Sequence, residues 1–485
     1  MPRTDLYRPQ FHFTPQRDWM NDPNGLVHFD GEYHLFYQHN PYGVNWGHMH
    51  WGHAVSCDLV HWRDLPIALS EEPTNGITMF SGSAVVDWHN SSGFGSGVCP
   101  PLVVIYTAHH SSKPLENIHV AYSTDRGRTF VKYRLNPVLD VNHAKFGDPK
   151  VFWYAESNQW VMVTILGHEQ GRVALYASTN LRDWRPLSSF EAADVAPAIW
   201  ECPDLFALPL DGDPQQMRWI LKVNNTDQNS PTQTWNFVGD FDGTCFQSST
   251  LPTSAAGSDR GAMYAEVTYN DIPPVDGRRV LIGWIRQVPD NRRRWTGIQS
   301  IPRTLTLRST AGGPRLHQAP VRELQALRGR HSALNNVPLP APDDPSSAYA
   351  LEGDTWEVDL RLDPADADEC GLRLRLHGGD EAFVGFSATG AMLFLDQPGQ
   401  PRLNVPMYSH DGNVRLHVFV DRSVIEVFGG EGEAVITATL QSDPLCATIQ
   451  PAARRSNTTD RPNDSRHREA QLLHMDAWRM SSIWG

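Results

Sequence analysis

The chain has 485 residues, with 41 basic and 55 acidic side chains and a formal charge of −14. Apolar residues at 40% and charged residues at 20% fit a folded protein with a sizeable core, and the length allows about three units. The acidic balance argues against a nucleic-acid or anionic-membrane partner, and no run of ~18 apolar residues is present to span a bilayer.

In chain order, the start Met1-Pro2-Arg3-Thr4-Asp5-Leu6 has no apolar stretch of signal-peptide length. This gives the expectation of a cytoplasmic protein, or of a secreted one whose leader is absent from this chain. Five short apolar runs then recur: Glu32–Gln38, Pro101–Thr107, Gln159–Thr164, Arg218–Val223 and Arg279–Trp284. Their starts are separated by 69, 58, 59 and 61 residues. Each run is β-branched or aromatic and too short for a typical helix, so each reads as a buried strand. A second strand ending in a polar turn follows three of them, at Ala54–Trp62, Ala121–Asp125 and Tyr176–Trp184. Five units of about 60 residues predict a five-bladed β-propeller over about 10–305, with unrelated strands of an ordinary all-β domain as the alternative.

Beyond it, Gly312-Gly313-Pro314 and Pro338-Leu339-Pro340-Ala341-Pro342 break regular structure. They predict a linker over 308–348, with one short helix near 320–328, between a 1–307 propeller and a 349–485 β-sandwich. The sandwich follows from period-2 alternation at Trp356–Leu362, Leu372–Leu376 and Val414–Asp421. The stretch 451–467 reads as an exposed loop, and Ala470–Met475 as a closing strand. Six cysteines (Cys57, Cys99, Cys202, Cys245, Cys370, Cys446) form no C-x-x-C pair, which points to reduced thiols.

Asp22 lies ten residues before the first aligned run, Asp148 eleven before the third and Glu201 seventeen before the fourth. Each therefore enters the strand preceding the aligned one. In a propeller these first strands line the axis, so the three carboxylates face one pocket. Glycosidic cleavage needs two carboxyl groups in different states, one attacking as an anion and one giving a proton to the leaving oxygen. Mutual repulsion and burial supply that difference. Taken singly, Asn21-Asp22-Pro23-Asn24-Gly25 and Gly147-Asp148-Pro149 are also ordinary turn signals.

Trp19–Gly25, His50–Ser56, Phe80–Ser83, Gly147–Phe152 and Trp200–Phe206 together resemble the signatures of glycoside hydrolase family 32, the invertases, exo-inulinases and levanases. Val418–Phe428 resembles the family's sandwich signature. The resemblance implies Asp22 as nucleophile, Glu201 as general acid/base and Asp148 as transition-state stabiliser. It also implies a fructosyl pocket including Asn21, Gln38, Phe80, Ser81 and Cys202, with Trp46 and Trp295 as aromatic walls. Trp46 also has a core-packing reading, and Gln38 one in which its amide satisfies backbone. The implied enzyme is a retaining glycosidase acting on sucrose, inulin or levan without metal or organic cofactor. Its sandwich domain is a possible homo-oligomer interface. A fructosyltransferase and a non-catalytic carbohydrate-binding propeller stand as alternatives.

Two positions depart from the family pattern. Gly147 stands where the family has Arg, and Asp259-Arg260-Gly261 belongs to a segment shortened by one residue. A coupled change would bring Arg260, or the run Arg292–Arg294, to the carboxylates as the missing cation. The alternative is that Gly147 simply enlarges the pocket.

Overall fold

β-Branched and aromatic runs alternating with tight turns leave little room for helix. Among the described residues the only helical segments are short 3₁₀ turns at Ala155–Ser157 and Arg322–Leu327. The computed structural model describes the chain apart from residues 1–4, 98, 168–170, 193–198, 227–232, 250–258, 288–289, 291–292, 342–348, 377–378, 410, 441–445, 456–467 and 485. Its strands divide into two units: Phe13–Ser254 with Met263–Arg315, and Met1–His12 with Ala255–Ala262 and Leu316–Gly485.

The first unit is a series of antiparallel meanders. The first comprises Asp18–Phe29, Glu32–Asn40, His50–Ser56 and Arg63–Leu69. The second contains Ile77–Val86, Leu102–His110, Leu115–Ser123 and Val131–Lys132. Phe146–Tyr154, Gln159–Leu166, Arg172–Ser178 and Arg185–Glu191 make the third. Ile199–Leu210, Asp213–Thr226, Gln233–Phe241 and Phe246–Ser248 make the fourth. Met263–Thr268, Arg279–Ile285 and Arg303–Arg308 form the fifth. The five aligned runs of the sequence fall on the second strand of each meander. The first strands pack side by side in sequence, and the fifth returns to the first, closing a ring. The pair Trp295–Thr296 adds to the first meander through Asp18 and Trp19. Buried Val, Leu, Ile and aromatic side chains fill the spaces between neighbouring meanders, as Val27, Phe36, Trp51, Val104 and Tyr106 do between the first two.

The second unit is a β-sandwich. One sheet orders Asp259–Gly261, Ala434–Thr439, Val424–Gly429, Val414–Asp421, Thr355–Asp363, Gln471–Met480 and Arg328–Pro338. The other orders Leu351–Glu352, Cys446–Arg454, Glu369–Leu376, Glu381–Ser387, Met392–Asp396 and Leu403–Pro406. Val358, Leu360 and Val418 of the first sheet share one core with Leu372, Val384 and Leu393 of the second. The expected closing strand is present and runs on to Met480.

The expected 308–348 linker is largely folded. Arg328–Pro338 pairs with Gln471–Met480 as an edge strand, and only Leu334 and Val337 of it pack on the core. A half-polar edge strand carries no clean alternation, which is why it reads as linker. The expected loop at 451–467 also begins as strand, since Cys446–Arg454 is paired; 456–467 lie outside the described residues.

Candidate active site

Every first strand of the ring carries the same irregularity. The register slips between Met20 and Pro23, Met79 and Gly82, Gly147 and Lys150, Glu201 and Asp204, and Tyr264 and Val267. In each case two residues oppose one, a β-bulge that bends the strand and re-aims a side chain. Asp148, Cys202 and Ala265 take left-handed backbone there, with φ of 54°, 47° and 52°. Non-glycine residues hold that conformation at a cost, and such positions cluster at functional sites. Pro149 and Pro203 fit the bulges because the interrupted ladder needs no donor from them. Asp-Pro and Cys-Pro thus mark bulges rather than turns between strands.

The bulges bring the three carboxylates together. Asp22 accepts from Ser81 Oγ at 2.8 Å and from Asn21 Nδ2 at 3.1 Å. Asn21 is itself fixed by Trp19 Nε1 at 2.7 Å. Asp148 Oδ2 accepts from the Cys202 backbone N–H at 3.0 Å, and the Asp148 N–H donates to Thr107 Oγ1 at 2.8 Å. Cys202 Sγ stands between them, 3.7 Å from Asp22 Oδ2 and 3.8 Å from Asp148 Oδ2. Next to it Glu201 accepts from Lys145 Nζ at 3.2 Å through one oxygen and from the Tyr264 hydroxyl through the other. The Glu201 side chain is 27% exposed.

Burial, then the facing Asp148 and Glu201, push the Asp22 carboxyl up to about 7 against the hydrogen bonds from Ser81 and Asn21. Burial raises Asp148 to about 6, with Lys145 opposing the rise and Glu201 adding to it. The site therefore takes up its first proton near neutrality, where an isolated pair of carboxylates would remain ionised. Burial and the same acids hold the Cys202 thiol and the Tyr264 phenol protonated, as donors. Burial alone would lower Lys145, but Asp148, Glu201 and Glu116 outweigh it and keep the ammonium charged.

The remaining expected residues separate into groups. Ser81 and Asn21 touch Asp22, as above. Phe80, in the second bulge, is half-buried and stacks on His109 at 4.4 Å, and Trp46 stands edge-on to it at 6.1 Å with 60% of its surface exposed. Gln38 opposes the Asn21–Asp22 bulge; it is 2% exposed, and with the Asn24 amide turned to it donates from Nε2 at 2.9 Å. Trp295 does not present an open wall: its pairing with Asp18 sinks the ring to 1% exposure. Arg260 belongs to the sandwich unit, on a strand paired in parallel with Val435–Thr437. The cation seen beside Asp148 and Glu201 is Lys145, a residue the sequence did not single out. Arg293 is turned to Asp290 at 3.7 Å, and Arg292 lies outside the described residues.

Sequence reasoning missed Lys145, Tyr264 and Thr107. Tyr264 sits at the same bulge position as Glu201, a signal available from the repeat. Lys145 is the cation nearest in sequence to Gly147. A Cβ on Gly147 would stand 2.7 Å from Thr107 Oγ1 and 2.8 Å from its methyl, so Gly147 leaves no empty pocket at its own Cα.

The sequence profile of the glycosyl hydrolases family 32 N-terminal domain matches residues 12–320, and that of the family's C-terminal domain matches 323–464. A levanase from Bacillus subtilis is 42% identical over 461 residues, which span 90% of this chain and 67% of the levanase. An extracellular exo-inulinase from Aspergillus ficuum is 34% identical, covering 90% of this chain and 89% of its own length. The crystal structure of exo-inulinase from Aspergillus awamori superposes with a TM-score of 0.87 at 30% identity, over 100% of both chains. That of a fructofuranosidase from Schwanniomyces occidentalis complexed with fructose gives 0.85 at 26% identity, over 99% of this chain and 100% of the other. The Aspergillus relatives are named extracellular, which overturns the expectation of a cytoplasmic protein. With both profiles matched in order, the chain belongs to glycosyl hydrolase family 32.

Proposed function

We propose that the ring of meanders is a five-bladed β-propeller and that its bulged end hydrolyses β-linked fructosyl units of sucrose or fructans outside the cell. The observation that carries this reading is three carboxylates from three inner strands, joined through Cys202 and Lys145. The names of the levanase and exo-inulinase relatives support the substrate class.

Asp22 is the nucleophile: Ser81 and Asn21 fix its carboxylate, and one oxygen attacks the anomeric carbon. Glu201 gives its proton to the glycosidic oxygen as that bond breaks, leaving a fructosyl ester on Asp22. Water then attacks the same carbon, Glu201 takes its proton, and the Asp22 carboxylate is released. Two displacements retain the anomeric configuration. Asp148, anchored by the Cys202 N–H, binds ring hydroxyls and faces the positive charge of the oxocarbenium-like transition state. The cycle needs one proton shared among the carboxylates, and their raised affinity for protons supplies it at mildly acidic pH. Lys145 and Tyr264 hydrogen-bond Glu201 when it acts as base.

Incubation with sucrose, inulin and levan, with products resolved by size, tests the reading. Release of fructose that is abolished in Asp22→Asn supports it. No release from any of the three substrates contradicts it.

A further inference from the structure

The carboxylates occupy the N-terminal bulges of the inner strands, and the C-terminal ends of the same strands form a second concavity. Asp148 and the Phe152–Trp153 pair are four and five residues apart on one strand, roughly 13–17 Å. This second cavity, of about 320 Å³, is lined by Val86, Trp88, Trp153, Trp219, Asp271 and Arg279 among others. Its volume lies at the lower end of small-molecule sites.

Its rim is aromatic. Trp88 is 56% exposed and stands edge-on to Phe29; Trp153 lies against His89, and Trp219 against Phe152. Its floor is polar. Asp271 accepts one hydrogen bond on each oxygen, from Val86 N at 3.0 Å and Trp88 Nε1 at 2.9 Å, which leaves further lone pairs. Arg279 donates from Nη1 to the Tyr269 carbonyl at 3.1 Å and lies over the Phe206 ring. Its other N–H groups have no hydrogen-bond partner among the described residues. The mechanism above uses none of these residues.

Arg279 and Asp271 face the same cavity with Asp204 and Lys150 nearby, two acids against two bases. The balance suits a neutral molecule. Spare planar donors beside spare carboxylate lone pairs suit adjacent hydroxyls, and an open tryptophan suits the C–H face of a sugar ring. We propose that this cavity is a second carbohydrate-binding site, which takes one or two units of a neutral fructan chain at the end of the ring opposite the carboxylates. That the sugar is a fructan rests on the proposed function. The site tethers polymer, raising its concentration at the catalytic end without turning it over.

Calorimetric titration of the full-length Asp22→Asn protein with nystose tests this. Two sites are expected. Trp88→Ala in that background should weaken one of them roughly tenfold, the scale of one aromatic stacking contact, while Trp88→Phe largely restores it. A single site in Asp22→Asn, or two sites untouched by Trp88→Ala, would overturn the inference. Fructose release by the unmutated protein reads the proposed function separately, so either reading can fail while the other stands.

Discussion

Lys145 shows how a single side chain sets the chemistry of the site. Its ammonium lies 3.2 Å from Glu201 and opposes the rise in Asp148 that burial causes. Lys145→Met should therefore raise the proton affinity of Asp148. The active form holds one proton among the carboxylates, so the kcat/KM profile of the unmutated protein should be bell-shaped, with limbs near the values of about 7 and about 6 given by Asp22 and Asp148. The limb at about 6, set by Asp148, should move to higher pH in Lys145→Met, and an unmoved limb would assign Lys145 a purely structural role. Glu201→Gln should be selective. Sucrose hydrolysis should fall by several orders of magnitude, while an activated aryl fructoside keeps much of its first-step rate because its leaving group needs no proton. Equal losses on both substrates would remove Glu201 from the acid role.

At the scale of the strand, the bulge is the device that turns a β-ladder into a site, and Thr107 ties two bulges together. It opposes the second bulge, donates to the Ser81 carbonyl at 3.0 Å and accepts from Asp148 N at 2.8 Å. Thr107 cannot swing aside without losing one of these bonds. Gly147→Arg should consequently displace Thr107 and lower stability by about 1–3 kcal/mol, the usual cost of overpacking. It should also reduce kcat by tilting Asp148. Urea midpoints and sucrose turnover at or above those of the unmutated protein would contradict this. The strand Arg279–Ile285 and its four counterparts were legible because each is a short apolar run between turn residues. The carboxylate positions were legible through their offset from those runs. The bulges themselves were legible only through Asp-Pro pairs that equally describe turns. The edge strand Arg328–Pro338 and the contact of Lys145 with Glu201 were not legible. Half the strand faces away from the core, and the contact depends on how two meanders pack.

At the scale of the whole molecule, the sandwich unit carries a buried charge cluster of its own. His12 donates through Nδ1 to Asp421 at 2.8 Å and through Nε2 to Glu426 at 3.0 Å, and Asp421 also accepts the N–H groups of Gln10, Phe11 and His12. Burial alone would lower the imidazole, but the two carboxylates outweigh it and raise His12 to about 9. A raised histidine binds its proton more tightly folded than unfolded. Its stabilisation is therefore complete below about 6.5, the unfolded value, and is lost as pH rises through about 9. His12→Ala should cost about 3–5 kcal/mol by leaving two buried carboxylates without their partner. It should also flatten the fall in Tm between neutral and alkaline pH; an unchanged slope would place that fall elsewhere. The proposed double displacement requires that Asp22 receive the fructosyl group. The direct measurement is mass spectrometry of peptides from Glu201→Gln, acid-quenched during turnover of an activated aryl fructoside, a variant whose second step is slowed. A fructosyl ester on the peptide carrying Asp22 is the predicted result, and an adduct on Asp148 instead, or none alongside inverted product, would contradict it.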